Sequence, residues 1–344
     1  MARLVPGADG PDHLGRSPGY DRAMSASPAP SIRHTLMTVH AHPDDETIGT
    51  GGVMAKAAAA GHGVVVVTCT RGELGEIVAA ELDTPENHRR LAEIRAGELE
   101  AALTALGVTS WENLGYRDSG MMGTPGNQDP RSFWQADLDD AIRRLVWLVR
   151  RHRPDVMTHY NDFGGYGHPD HIRAHQVAIG AFYRAGDPEW HPEQVAPEHG
   201  GSGPSSPDGG LEPWAPAKLY EQAISRERRQ AMAARAEAAG TASWWSRPVE
   251  AGAEDLVRWD EFMRRSTVDD AQITTRIDVR AFADARWEAL LAHRTQISPT
   301  DSPLMALGRE AHAELWGEEA FILRASRVPL GPNLPETDLF AGLG

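Results

Sequence analysis

The chain has a single cysteine, Cys69, in 344 residues, which excludes an internal disulfide framework and fits a reducing compartment. That residue lies inside Val64-Val65-Val66-Val67-Thr68-Cys69-Thr70 and reads as a small buried strand residue rather than a catalytic thiol. Positive charge is also scarce: 34 Lys and Arg against 49 Asp and Glu leave a formal charge of −15. Nucleic acid and anionic membrane surfaces attract dense positive charge, so neither is an expected partner. No uninterrupted apolar stretch is long enough to span a bilayer, and the N-terminus lacks the basic-then-apolar order of a secretory signal. The expectation is a cytoplasmic protein acting on a small molecule, its oligomeric state left open.

What is present is an alternation. From about Ser31 the pattern predicts strands at 35–40, 64–70, 110–115 and 155–160, with helices at 47–60, 85–106, 132–152 and 169–185 between and after them. In the 85–106 helix, Leu91, Ile94, Leu99, Leu103 and Leu106 form an apolar stripe, and Gly107 supplies the stop. Such repeated βα units specify an α/β fold, a Rossmann-like, mostly parallel sheet with helices on both faces. Further on, a C-terminal α+β extension is expected, with strands near 217–224, 272–279 and 319–325 and helices near 226–239, 254–265 and 281–294. The expected organisation is a disordered extension at 1–33, the Rossmann-like core at 34–190, a flexible Pro/Gly/Ser-rich insertion at 191–216, and a part at 217–344 that completes the domain and pocket.

Polar residues gather after the predicted strands, where open parallel sheets bind ligands. His40-Ala41-His42-Pro43-Asp44-Asp45-Glu46 follows the first strand, and Tyr166-Gly167-His168-Pro169-Asp170-His171 follows the fourth. Imidazole and carboxylate donors suit Zn²⁺, with Fe²⁺ possible in the same geometry, and His42, Asp45 and His171 make a three-ligand set that leaves a place for water. Asp44 is then free to take a proton from the attacking water. Glu46 reads as support for the ligands or the helix N-terminus. His168 is a candidate proton donor, Asp170 a residue that holds or polarises an imidazole, and Tyr166 a hydroxyl for an oxyanion. His40 reads as a buried strand-end residue, and His175, one turn beyond His171, as a packing or supporting residue rather than a fourth ligand. Glu73, Arg95 and Asp118 are candidate substrate contacts, since carboxylates and a guanidinium together suit hydroxyl-rich sugars and cyclitols.

These motifs resemble the LmbE-like, or PIG-L, zinc N-deacetylases, marked by Ala-His-Pro-Asp-Asp-Glu and a later His-Pro-Asp-His. Asn161 to Arg173, Val67 to Glu73 and Asp118-Ser119-Gly120 look most like its mycothiol branch. Segments at His293 to Ile297, Leu315 to Glu319 and Glu336 to Gly342 look more like the S-conjugate amidase of that branch than its biosynthetic deacetylase. The resemblance implies zinc on His42, Asp45 and His171, Asp44 as general base, Tyr166 and His168 assisting, and Arg95 and Asp118 holding sugar or inositol hydroxyls. The expected reaction is hydrolysis of the amide of mycothiol S-conjugates in detoxification, with deacetylation of N-acetyl-glucosaminyl-inositol, or amide hydrolysis in secondary metabolism, as alternatives. Gly49 departs from the branch, which tends to carry a polar or basic side chain there. Two other classes compete: a Mg²⁺ or Mn²⁺ phosphoesterase using the oxygen ligands of residues 44 to 46, and a non-catalytic sugar-binding module.

Overall fold

In the computed structural model the described residues are 33–195, 210–238, 252–300, 302, 305–331 and 333–344. Most of the expected N-terminal extension and the centre of the expected insertion lie outside them. The first half of the chain runs β1 (Thr35–His40), α1 (Asp45–Ala59), β2 (Gly63–Thr68), α2 (Pro85–Arg89), α3 (Leu91–Leu106), β3 (Ser110–Asn113), α4 (Leu138–His152), β4 (Val156–His159) and α5 (Pro169–Arg184). It continues with β5 (Lys218–Ala223), α6 (Arg226–Ala238), α7 (Ala253–Ser266), β6 (Thr275–Asp278), α8 (Ala283–Ala292), α9 (Gly308–Leu315) and β7 (Glu318–Ser326).

The strands form one sheet in the order β3-β2-β1-β4-β5-β7-β6. The first five are parallel, whereas β7 runs antiparallel to both β5 and β6. Side-chain alternation divides the interior into two cores, as burial of both sheet faces requires. Met37, Val39, Val65, Val67, Met157 and Leu219 pack with α4 and α5. Leu36, Val64, Val66, Val156 and Tyr220 take the opposite face with α1, α3 and α8. Cys69 is fully buried in the first core, and burial keeps its thiol well above the ordinary range, as a packing residue should be.

Two expected helices start or break differently. The 85–106 segment is two helices, because Arg90 (φ −109°, ψ 13°) leaves helical geometry between them. The 132–152 helix begins only at Leu138, where the Asp137 carboxylate accepts from the Asp140 N–H at 2.9 Å. Gly107 ends α3 at φ 71°, the left-handed cap expected of it. Helix α9 had no counterpart in the sequence reading. Among the described residues no helix is long and apolar enough to cross a membrane.

The sheet order changes direction between β1 and β4, which leave in opposite directions from the centre. Their carboxyl ends therefore border the crevice in which such sheets bind ligands. Both His/Asp motifs open there.

Candidate metal centre and active site

β1 delivers the chain into the crevice, where the Ala41 N–H donates to the Tyr160 hydroxyl at 2.9 Å. The next N–H, of His42, donates to Asp45 Oδ2 at 2.9 Å, and this curl turns the two side chains the same way. On the facing side, Pro169 starts α5, and His168 Nδ1 caps the helix by accepting from the Asp170 N–H at 3.1 Å. His171 thus lies in the first turn, its Nδ1 3.1 Å from the Gly164 carbonyl. Gly164 (φ 63°) is required at this point, because a Cβ there would sit 2.5 Å from His171 Cβ.

Three donor atoms meet in a triangle. His42 Nδ1 is 3.3 Å from Asp45 Oδ2, His171 Nε2 is 3.3 Å from the same oxygen, and the two nitrogens are 3.3 Å apart. Ligands about 2.0–2.1 Å from a tetrahedral ion stand about 3.3 Å from one another, so the triangle has the dimensions of one face of such a site. Hydrogen bonding assigns the tautomers. The Nδ1–H of His171 is engaged by Gly164, and His42 Nε2 faces Asp170 Oδ2 at 3.3 Å and Asp118 Oδ1 at 3.7 Å. Both remaining lone pairs therefore point at each other and at a carboxylate oxygen, an arrangement that demands a proton or a cation between them. Burial alone would keep His42 neutral, yet Asp118, Asp170 and Asp45 hold its imidazole well above the ordinary range. The residues present thus fit a divalent ion, with Asp170 and Asp118 behind the ligand as orienting carboxylates. His168 offers a nitrogen within 4.8 Å of both imidazoles, but its Nδ1 is committed to the helix cap.

Asp44 stands beside this triangle in an unusual backbone conformation, φ 115° and ψ −34°, of a kind that costs about 1–3 kcal/mol for a non-glycine residue. Its N–H donates to Glu46 Oε2 at 2.8 Å, and its carbonyl accepts from Thr47 and Ile48 at the start of α1. Arg95 Nη2 donates to its carboxylate at 3.0 Å and also to the Pro43 carbonyl, while Nη1 reaches the Gly72 carbonyl at 2.8 Å. Burial pushes the Asp44 carboxyl up to about 6, with Arg95 drawing it back. This is a carboxylate poised to accept a proton near neutrality.

Of the three candidate substrate contacts, Arg95 is buried and spends its guanidinium on Asp44 and two carbonyls. Asp118 is likewise buried, accepting from the Leu74 and Gly120 N–H groups at 3.0 and 2.8 Å. Glu73 accepts from the Asp118 N–H at 3.3 Å and is half-buried. Asp170 accepts from the Ser119 N–H at 2.9 Å and from the Ser119 hydroxyl. Tyr166 is 39 % exposed at the mouth, its hydroxyl 3.5 Å from His171 Nε2. Burial, with His42 and His171 beside it, pushes His168 far below the ordinary value and so keeps it neutral. Since Nδ1 accepts, the proton resides on Nε2.

Two contributors, His293 and Gln222, were given no role from the sequence. His293 Nε2 lies 2.9 Å from Glu46 Oε1, both side chains fully buried, so a residue of the loop after α8 anchors the glutamate that holds Asp44. His40 is bound to the Thr50 hydroxyl at 3.0 Å, in keeping with a buried strand-end residue. At Gly49, a Cβ would stand 2.2 Å from Gln222 Oε1. The side chain absent at position 49 is replaced in space by a carboxamide from β5.

Residues 37–182 match the family model PIG-L, GlcNAc-PI de-N-acetylase. The chain is 42 % identical over 312 residues, 89 % of this chain and 99 % of the relative, to a 1D-myo-inositol 2-acetamido-2-deoxy-alpha-D-glucopyranoside deacetylase of Frankia alni. A deacetylase of the same name from Thermobispora bispora is 42 % identical over 337 residues, 90 % and 98 % of the two chains. Among solved structures, the N,N'-diacetylchitobiose deacetylase of Pyrococcus horikoshii superposes with a TM-score of 0.53 at 19 % identity, over 84 % of this chain and 83 % of that one, a likeness of fold. With motifs, sheet order and near full-length relatives in agreement, the chain belongs to the PIG-L family and is a hydrolase of amide C–N bonds.

Proposed function

We propose that this protein is a metal-dependent deacetylase that removes the acetyl group from an N-acetyl-glucosaminyl-inositol. The observation that carries the chemistry is the 3.3 Å triangle of His42, Asp45 and His171 with Asp44 beside it. Relatives of nearly equal length support the substrate, and they favour deacetylation over the cleavage of S-conjugates expected from the C-terminal segments.

Zn²⁺ suits the two-imidazole, one-carboxylate set, and such an ion supplies Lewis-acid polarisation and a more acidic water. Asp44 takes the proton of the attacking water, its base strength tuned by burial against Arg95. Asp170 and the Gly164 carbonyl fix the orientation of the two imidazoles. Tyr166, at the mouth, donates its hydroxyl to the oxygen that gains charge as the carbonyl is attacked. The proton that Asp44 takes from the water is the one delivered to the departing amine, while neutral His168 offers its Nε2–H as a hydrogen-bond donor to the tetrahedral intermediate and keeps that proton. Arg95 acts through Asp44, and Glu73 with the Asp118 loop borders the sugar. The two competing classes weaken on the same site, since two imidazoles disfavour Mg²⁺ and a free base beside the ligands has no use in a mere binding module.

Mass-spectrometric product analysis of metal-loaded protein tests the reading, with N-acetyl-glucosaminyl-inositol and a mycothiol S-conjugate supplied side by side. Faster release of acetate is expected. Faster release of the N-acetylcysteine conjugate would replace the deacetylase reading with the amidase one, and cleavage of neither would refute both.

A further inference from the structure

A second group of metal-binding side chains lies one helical turn along α5 from His171. His159 ends β4 and stands beside Glu221 of β5 in their parallel register. Both point to the α5 face, as do Met157 and Leu219 two residues before them. There they meet His175, and donor atoms of all three residues lie within 4.8 Å of one another.

His159 is poorly provided for by the rest of the fold. It is fully buried, and neither ring nitrogen makes a hydrogen bond of ordinary geometry among the described residues, although buried polar atoms are ordinarily paired; the polar group beside it is the backbone of Tyr160. His175 has a defined tautomer: its Nδ1 donates to the Tyr160 carbonyl at 2.9 Å, which leaves Nε2 as the free donor atom. The Glu221 carboxylate is 5 % exposed, 3.7 Å from His175 Nδ1 and 3.1 Å from the Nε of Arg324, a side chain half open to solvent. Burial, with His175 and Arg324 nearby, keeps the His159 imidazole neutral, the form that ligates. Burial also pushes the Glu221 carboxyl up to about 7 in spite of Arg324. Two neutral imidazoles and a buried carboxylate, held by one half-exposed arginine, are therefore assembled where the mechanism has no use for them.

We infer that His159, His175 and Glu221 form a second site for a divalent transition-metal ion of the class that accepts imidazole with carboxylate, such as Zn²⁺ or Co²⁺. The ion clips α5 to β4 and β5, one turn behind the residues that α5 presents to the active site. Arg324 is its competitor and swings into solvent when the ion binds.

The test counts metal on the full-length chain, stripped with chelator, reloaded with Co²⁺ and read both by elemental analysis and by visible absorption. Two equivalents are expected, one lost in Glu221→Gln and in His159→Asn, the other lost in His42→Ala. Arg324→Met should tighten the second ion about tenfold by removing a neighbouring positive charge, and weaker binding in that variant would count against the site. One equivalent in the unaltered chain that disappears in His42→Ala would overturn the inference and leave the active-site reading intact. One equivalent that survives in His42→Ala and is lost in Glu221→Gln would support the second site while overturning the first. A second equivalent indifferent to both Glu221→Gln and His159→Asn would place it elsewhere and overturn the inference. The count on the unaltered chain needs no variant to fold.

Discussion

Two helical glycines should respond in opposite senses to the same substitution. Gly52 lies within α1, where an added Cβ would stand 2.6 Å from Val279 Cγ2 and 2.8 Å from Glu319 Oε1. Glu319 is buried and accepts from the N–H groups of Gly52 and Val53 at 2.8 and 3.0 Å. Gly52→Ala gains about 1 kcal/mol of helix propensity. Against this stand overpacking, about 1–3 kcal/mol, and displacement of a charged acceptor from at least one hydrogen bond, about 1.5–3 kcal/mol. The net is a loss of about 1.5–5 kcal/mol, and at about 2 °C per kcal/mol for a chain of this size Tm should fall by about 3–10 °C. Gly97 of α3 has nothing within 4 Å of its added Cβ. Gly97→Ala should therefore stabilise by about 0.4–1 kcal/mol, a rise of about 1–2 °C. Calorimetric melting of the two variants beside the parent decides the matter. A Tm for Gly52→Ala at or above the parent would refute the close packing of α1 against β7 on which the argument depends.

Asp45→Ala should lose tight metal binding by elemental analysis, while Asp44→Ala should retain metal and lose about 10²–10⁴-fold in kcat; the reverse pattern would sink the assignment of ligand and base. Tyr166→Phe should lower kcat by about 10²-fold with metal content unchanged, and an unaltered kcat would remove the hydroxyl from the mechanism. Glu336→Gln strikes a buried network, since its carboxylate binds Lys218 Nζ at 2.7 Å and the Tyr220 hydroxyl at 2.6 Å. Leaving the buried lysine without its counter-charge should cost about 3–5 kcal/mol, visible as a large drop in Tm; a melt like the parent's would contradict the burial of this pair.

Much of the scaffold was legible because its signals are local. The run Val64 to Thr70 needs only its own apolar side chains to declare a strand buried on both faces, and Gly107 declares a helix end by the conformation it alone adopts cheaply. The break at Arg90 was not legible, because apolar spacing continues through it and only the backbone angles record the change. Helix α9 was missed where its short length left little periodicity to read. The pairing of β7 with both β5 and β6, antiparallel at the edge of a parallel sheet, depends on contacts between distant segments that no window of sequence contains.

The site divides in the same way. Side chains three residues apart across a proline turn, His42 and Asp45, and those opening a helix after Pro169, were set by local chain geometry, so the sequence by itself determined which donors would face the crevice. What only the tertiary structure decided is the company they keep. Glu46 meets His293 across 247 positions, Arg95 turns from the pocket to Asp44, Gln222 fills the space left by Gly49, and His159 finds Glu221 through strand register. Each depends on which strands become neighbours and which faces are buried together, properties of the packed whole for which local periodicity carries no code.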